Sequence, residues 1–537
     1  MAASVFEAYL SGQAARFYDT HFADAAARVA AARRAARPLD ARVAEALRVQ
    51  NARFVASPAR EANIDALAAG AAAVVTGQQV GLFLGPLFNF YKAATAIAAA
   101  REMARESGTA VVPVFWLQSE DHDLPEIAEV HAPAARPQRL SLPTSAENRV
   151  SLAHLSLPGE VRQCLSHLAD LVEGLPHAAE HVDLLQRHYA AGQRWVAAFA
   201  GALAELFAHE GLVLIDSREP ALAELAAPVH RRAIEDAGRI AAMLGQRTRE
   251  LEEAGFAATV HVRQGSPLSF FHPHGPDGPR YRLEPRSDGY CQVGGHGEHT
   301  RAELLSTLDR DPMRFSTSAL QRPIVQDTLL PTAAYVGGPG EVAYFAQLAP
   351  LYRAHGMSMP MVIPRARMRL VEDRTRRVLS RLGLTPAQAS CSEDDLLAAA
   401  MPAGARVNPA AELLARFDAA LASCRAAIEA EGGGLGEAVT KTHASVERSL
   451  LRLAEKIERA RLHHDQALVE DVRRLHTWLQ PNGQPQERVY GISYFAARYG
   501  QRRVIDAVLA AQRPFDATPL DVDLHEDAPA PAAAVAR

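Results

Sequence analysis

Two short apolar runs, 72–75 and Val111–Leu117, bracket a long Ala-rich stretch with helical patterning over 86–107. Strands this short and this uniformly apolar are buried on both faces, as in a parallel sheet covered by helices, so the pattern points to an α/β class built of βαβ units. Further runs of the same kind stand at 211–216, at 323–325 with its neighbours, and at Met361–Pro364, with a second helical stretch over 220–244. Residues 1–70 read instead as Ala-, Leu- and Arg-rich helices.

At 537 residues the chain is too long for one ordinary core. Two stretches break the βαβ rhythm and read as insertions: a Pro-led, Leu/His-rich helical one over about 132–195, and a β-rich one over about 256–322. In the second, strand-like Thr259-Val260-His261-Val262, Leu268-Ser269-Phe270-Phe271 and Tyr281-Arg282-Leu283 surround the turn-rich 272–279, a hairpin signature. From 366 to 480 helices take over. Val446, Leu450, Leu453, Ile457, Ala460, His464 and Ala467 follow steps of four and three, and Leu468, Val472, Leu475 and Leu479 continue the pattern after a one-residue shift. This spacing predicts one long helix with a coiled seam, paired through a turn at Gly432-Gly433-Gly434 with a helix around 409–430. The expected organisation is a core over 1–365, a helical coiled-coil domain over 366–480, a segment over 481–523 returning to the core, and a disordered Pro/Ala tail over 524–537.

A net charge of −5 leaves no electrostatic footprint for nucleic acid or an acidic membrane, so small molecules are the expected partners. The four cysteines, Cys164, Cys291, Cys391 and Cys424, form no C-x-x-C pair and read as reduced thiols. No apolar run is long enough to span a bilayer. Acidic residues Glu7, Asp19, Asp24 and Asp40 argue against a transit peptide, and the cytoplasm is the expected location.

Three segments carry the candidate chemistry. The first runs from Thr76-Gly77-Gln78-Gln79 through Gly81 and Gly85 to Pro86, where a strand ends in a glycine-punctuated loop and a helix begins. Such a loop lets backbone approach a ligand, and the helix start favours a carboxylate or phosphate. The string matches neither the P-loop nor the dinucleotide fingerprint, and tight strand-to-helix packing is the alternative. Lys92, on that helix, could reach a bound anion. The second segment is Glu120-Asp121-His122-Asp123, at the carboxyl end of the second strand, where open α/β sheets bind ligands. These groups could orient and deprotonate an amine or hold Mg²⁺, while Asp123 could equally cap the next helix. The third joins Gln326 and Asp327, expected after a buried strand, to Tyr335-Val336-Gly337-Gly338-Pro339-Gly340-Glu341. His296-Gly297-Glu298-His299 lacks the helical H-E-x-x-H spacing, and His463-His464 falls on the coiled helix, so no metal site is expected from histidines.

In order and spacing, these strings, with Pro113-Val114-Phe115-Trp116, Pro364-Arg365, Pro481-Asn482-Gly483 and Gln486-Glu487-Arg488, resemble the bacillithiol-biosynthesis cysteine-adding enzymes, the BshC family. The resemblance covers nearly the whole chain. It implies a Rossmann-like core ligase domain similar to class I aminoacyl-tRNA synthetase cores, with connecting-peptide insertions and a C-terminal coiled coil that pairs subunits as a homodimer. It also implies a ligase adding L-cysteine to the amine of glucosaminyl-malate to form bacillithiol. A free carboxylate forms no amide efficiently at neutral pH, so ATP, with Mg²⁺ alongside it, is expected to activate the cysteine carboxyl. Neither an H-I-G-H nor a K-M-S-K-S string occurs, so the nucleotide is expected from the chemistry rather than from a motif. On this reading Glu120, Asp121 and His122 are catalytic. Thr76, Gly77, Gln78, Gln79, Gly81, Gly85, Lys92, Asp123, Gln326, Asp327, Tyr335, Gly337, Gly338, Gly340 and Glu341 bind the substrates. Another ATP-dependent small-molecule ligase or nucleotidyl transferase on the same core, or a coiled-coil scaffold with an inactive pocket, are the alternatives.

Overall fold

Buried apolar runs assemble into one parallel sheet in the computed structural model, which describes residues 4–145, 149–287, 289–401, 409–430, 435–462 and 465–526. Its strands are β1 (Ala72–Gln78), β2 (Val111–Leu117), β3 (Val213–Asp216), β4 (Thr332–Gly337) and β5 (Met361–Pro364). They lie in the order β5-β4-β1-β2-β3, every pair parallel. Val74, Val75, Val114, Phe115, Trp116, Ala334, Val336, Val362 and Ile363 are all fully buried, which is why the strands read as continuous apolar runs rather than alternating ones.

Helix α1 (Leu87–Ser107) crosses from β1 to β2, with Pro86 at its N-cap and Gly108 closing it in the left-handed region. Alanine suits α1 because the helix is enclosed on nearly every side, Ala93, Ala94, Ala96, Ala99 and Ala100 all being fully buried. The run expected as a strand at 323–325 is instead part of helix α2 (Arg322–Leu329), and the strand of this region is β4. Three apolar residues fit either period; Pro323 in the first turn and the Arg322/Gln326 pair one turn apart resolve the ambiguity toward helix. Helix α3 (Pro339–Phe345) follows β4.

The β-rich insertion is a five-stranded antiparallel sheet of Phe315–Thr317, Ser269–Phe271, Tyr281–Arg286, Gly289–Gln292 and Glu298–Thr300, in that spatial order. Ser269–Phe271 and Tyr281–Arg286 are the expected hairpin. Thr259–Val262 is not a strand: the Gln347 amide satisfies both the N–H and the C=O of Val260, taking the place of a ladder neighbour. In the first insertion, helices Val161–Leu171 and Ala178–His188 are preceded by a strand pair, Glu129–Ala132 with Gln138–Ser141, that the sequence pattern did not reveal.

The chain divides into two units, residues 1–369 with 487–537, and residues 370–486. In the second, helices α4 (Pro409–Ala430) and α5 (Leu435–Leu462) pack on one another, with Phe417 stacked on His443 and Asp418 bonded to the same ring. The expected single long helix is two. α5 is followed by α6 (Gln466–Leu479), whose N-cap Asp465 accepts from Ala467 N and Leu468 N, so the one-residue shift in the apolar pattern marks a new helix. Val472, Leu475 and Leu479 of α6 are buried in this unit's own core. The expected glycine turn at 432–434, His463-His464 and the tail beyond 526 lie outside the described residues.

Candidate functional site

The winding of the sheet reverses between β1 and β4: α1 carries the chain from β1 to β2 on one side, while β4 leads to β5 on the other. The carboxyl ends of β1 and β4 therefore diverge into a crevice, the ligand position of open α/β sheets. Register brings Gly77 opposite Trp116, Gln78 opposite Leu117, and Gly337 opposite Pro364 at that edge. A cavity of about 430 Å³ opens there. Gly77, Gln78 and Gln79 line it from β1, Gln118 and Asp121 from β2, Gly338, Gly340 and Glu341 from β4, and Lys92, Arg322, Arg365 and Arg488 add four cations. A Cβ at Gly77 would come within 3.1 Å of the Trp116 carbonyl oxygen, so a side chain there would press β2 away by a few tenths of an ångström.

Lys92 is the knot between β1 and β4. It is 2% exposed, donates from Nζ to the Gly77 carbonyl and to Gln78 Oε1, both at 2.7 Å, and forms an ion pair with Glu341. Glu341 also accepts from the Tyr335 hydroxyl at 2.5 Å and from the Gly338 N–H at 2.8 Å, so it caps α3 and anchors the lysine together. Burial works against the charge on both partners; for Glu341 the Lys92 and Arg322 cations outweigh it and hold the carboxyl below its usual range. Arg322 donates to Gln326 Oε1 at 2.7 Å and to the Tyr344 hydroxyl at 2.8 Å, and its guanidinium lies 4.8 Å from the Tyr335 ring centre. Arg365, just past β5, makes a two-pronged bond to buried Glu487 at 2.9 and 2.6 Å.

The β2 end is different in kind. Gln79 Nε2 donates to Asp121 Oδ2 at 2.7 Å, and the His122 N–H donates to Asp121 Oδ1 at 2.7 Å. Burial would raise the Asp121 carboxyl, but Arg280 and these bonds outweigh it and keep it below its usual range. His122 Nδ1 is 3.5 Å from Asp121 Oδ1 and has no hydrogen-bond partner. Burial, with Arg280 adding to it, lowers the imidazole below its ordinary value, so the ring is neutral at pH 7. Glu126, also on the cavity wall, is raised by burial.

Not every expected site residue reaches this cavity. Glu120 turns its carboxylate to the Thr317 N–H, at 2.9 Å, and to the Thr317 hydroxyl, anchoring the β-rich insertion. His122 and Asp123 stand beside the wall rather than on it, and Asp123 occupies the N-cap position of helix Leu124–Ile127 without a side-chain cap bond. Thr76 is fully buried, its hydroxyl donating to the Val336 carbonyl. Gly81 and Gly85 pack on each other away from the cavity: a Cβ at Gly81 would lie 2.8 Å from Gly85 Cα, and Gly85 has φ +66° with the Asn89 amide against it. Phe83 and Leu84 take positive φ of 47° and 72° there, held by Tyr189, whose hydroxyl accepts from Leu84 N and donates to the Gly81 carbonyl. The first N–H of α1, at Leu87, is taken by the Tyr490 carbonyl at 2.7 Å. Packing is thus the role of this half of the loop. Tyr335 and Gly337 lie behind the wall, as do Gln326 and Asp327, which are on α2 rather than after a strand.

Arg322, Arg365, Arg488, Gln118 and Glu126 complete the wall without having been expected. Arg365 and Gln118 follow strand ends, so the rule that selected Asp121 could have found them. Arg322 was hidden by the strand reading of its neighbours.

Two family models match the chain: bacillithiol biosynthesis BshC, N-terminal Rossmann-like domain, over residues 2–366, and bacillithiol biosynthesis BshC, C-terminal coiled-coil domain, over residues 368–519. Curated relatives bear the name "Putative cysteine ligase BshC". The protein of Koribacter versatilis is 36% identical over 480 residues, covering 88% of this chain and 87% of its own. That of Salinibacter ruber is 33% identical over 497 residues, covering 90% and 89%. That of Solibacter usitatus is 33% identical over 475 residues, covering 86% of each. With a Rossmann-like sheet, a switch-point crevice and family matches running through both units, the chain belongs to the BshC family of bacillithiol-biosynthesis ligases.

Proposed function

We propose that this ligase joins the carboxyl group of L-cysteine to the amine of glucosaminyl-malate, forming bacillithiol. The observation that carries the reading is the division of one cavity into a side where the four cations Lys92, Arg322, Arg365 and Arg488 outnumber the two carboxylates paired with them, Glu341 and Glu487, and a side where Asp121 stands beside neutral His122. Anionic reactants meet the first and an amine the second.

A carboxylate is a poor electrophile at neutral pH, so cysteine needs activation, and ATP, when bound, would supply it. The wall fits such a group: the arginines suit phosphate oxygens, and Glu126 could offer Mg²⁺ a carboxylate oxygen of the kind that it takes beside phosphates. Among the described residues no cluster of three or more metal-ligating side chains exists, so the protein would share the ion with the nucleotide rather than cage it.

The chain's own residues then act on the amine. Asp121, on the wall and oriented by Gln79, receives it as an ammonium and relays the proton to His122 behind it, whose Nδ1 has no hydrogen-bond partner and lies 3.5 Å from Asp121 Oδ1. The neutral nitrogen would then attack the activated cysteine carbonyl carbon: the C–N bond forms, the C–O bond to the activated oxygen breaks, and the second proton that the nitrogen loses goes to that oxygen or to solvent. Glu120 has no part in this, being committed to Thr317.

Helix α5 exposes Leu453 (45%), one of its seam positions, and the same reading covers it with a second copy in a homodimer. No helix among the described residues is long and apolar enough to cross a membrane, and the four unpaired cysteines suit a reducing cytoplasm. The full chain incubated with L-cysteine, glucosaminyl-malate and Mg-ATP should yield bacillithiol by mass spectrometry, and cells lacking it should accumulate glucosaminyl-malate. Failure with ATP and with every other nucleotide would overturn the assignment.

A further inference from the structure

Gln326 and Asp327 touch no part of the cavity, yet they are strongly buried polar side chains, 0% and 8% exposed. Buried amides and carboxylates must be bonded, and here the bonds form a directed chain. Asp327 accepts from the Tyr352 hydroxyl at 2.5 Å through Oδ2 and from Gln326 Nε2 at 2.8 Å through Oδ1. Gln326 Oε1 in turn accepts from Arg322 at 2.7 Å. Arginine can only donate and an ionised aspartate can only accept, so the two ends leave Gln326 a single amide orientation. Arg322 and Gln326 stand one turn apart on α2 and share a face; Asp327, one residue on, acts through the amide rather than on the guanidinium.

We propose that Gln326 and Asp327 are positioning residues, which fix the Arg322 guanidinium as an anion-facing element of the crevice wall. The inference rests on the ligase reading above, in which Arg322 meets an anionic reactant. With the chain intact, Arg322 is held on one side by Gln326 and on the other by Tyr344, with Tyr335 beneath it. Without the amide, the Tyr344 hydroxyl is its one remaining side-chain hydrogen-bond partner among the described residues, and the planar fork is free to turn.

The test uses the full chain, with steady-state turnover and calorimetric binding of glucosaminyl-malate read in parallel at pH 8. R322Q should weaken binding and raise KM. Q326E keeps an acceptor for Arg322 but sets two carboxylates together, so KM should rise about 10-fold or more, as expected for a disturbed charged hydrogen bond. The double variant Q326E/D327N restores a donor opposite the new acceptor and should return KM to within about twofold of the unaltered chain, a recovery that simple structural damage would not give. The positioning role is overturned if R322Q raises KM while Q326E does not, or if the double variant fails to recover. If R322Q changes neither binding nor KM while bacillithiol still forms, the cationic wall is misplaced, and the positioning role goes with it. If the unaltered chain binds glucosaminyl-malate but makes no bacillithiol, the ligase reading fails while the calorimetric series still decides the positioning role.

Discussion

On the β4 side of the crevice Lys92 is matched to Glu341 and Arg365 to Glu487, each pair buried and bonded at several points; on the β2 side, His122 keeps an unpartnered nitrogen and Asp121 is half-exposed. The first wall is rigid because a buried charge without a partner is costly, so its geometry is set before any reactant arrives. The second wall must exchange a proton and cannot be saturated. One sheet edge thus holds a fixed electrostatic surface facing a group left free to titrate.

The largest effect should come from breaking the rigid wall. K92M leaves the Glu341 carboxylate buried beside an apolar chain and should cost about 3–5 kcal/mol in urea unfolding. Adding E341Q should recover part of that loss, since the pair rather than either member is what the interior tolerates. A cost below about 1 kcal/mol for K92M would show the wall to be soft and the contrast with the β2 side to be false.

Next comes His122. H122Q should lower turnover by about 10²- to 10⁴-fold, the usual range for a lost general base, with little change in stability. Because burial and Arg280 lower this imidazole from its ordinary 6.5, the ring stays neutral until the pH falls below that value. The acid limb of kcat/KM should therefore lie below pH 6.5 and vanish in H122Q. A limb that persists unchanged would move the proton transfer to another group, such as Glu126, a wall carboxyl raised by burial. Smaller still is Q79A, which removes the one side-chain bond orienting Asp121; KM for glucosaminyl-malate should rise about 10-fold, as expected for a hydrogen bond to a charged group.

The contrast also explains what could be read from the sequence. Buried parallel strands announce themselves, and the carboxyl-edge rule then selects Gln79, Asp121 and Glu341 without further information. Direction is what local sequence leaves open. Glu120 and Asp121 are neighbours of the same type, and only Thr317, contributed by the β-rich insertion, decides which carboxylate turns away. Gly81 and Gly85 announce a close approach but not what approaches, and the answer is each other and Asn89. Arg322 was concealed because the apolar triplet beginning at Pro323 suits two periods, and only Pro323 in a first turn and the bond between Arg322 and Gln326, one turn apart, decide for helix.

Thr76 gives the smallest effect and the sharpest boundary. It sits on β1 three residues before Gln79, but its hydroxyl is spent on the Val336 carbonyl, across the β1–β4 pair and below the cavity floor. T76V keeps the shape and removes one buried hydrogen bond, so unfolding should become easier by about 1 kcal/mol. KM for cysteine and for glucosaminyl-malate should not change, because nothing on the wall depends on that hydroxyl. A rise in KM matching that of Q79A would mean that the reacting region reaches down between β1 and β4. The strand ends would then belong to the adaptable side of the crevice, and the division between a fixed wall and a titrating one would have to be drawn elsewhere.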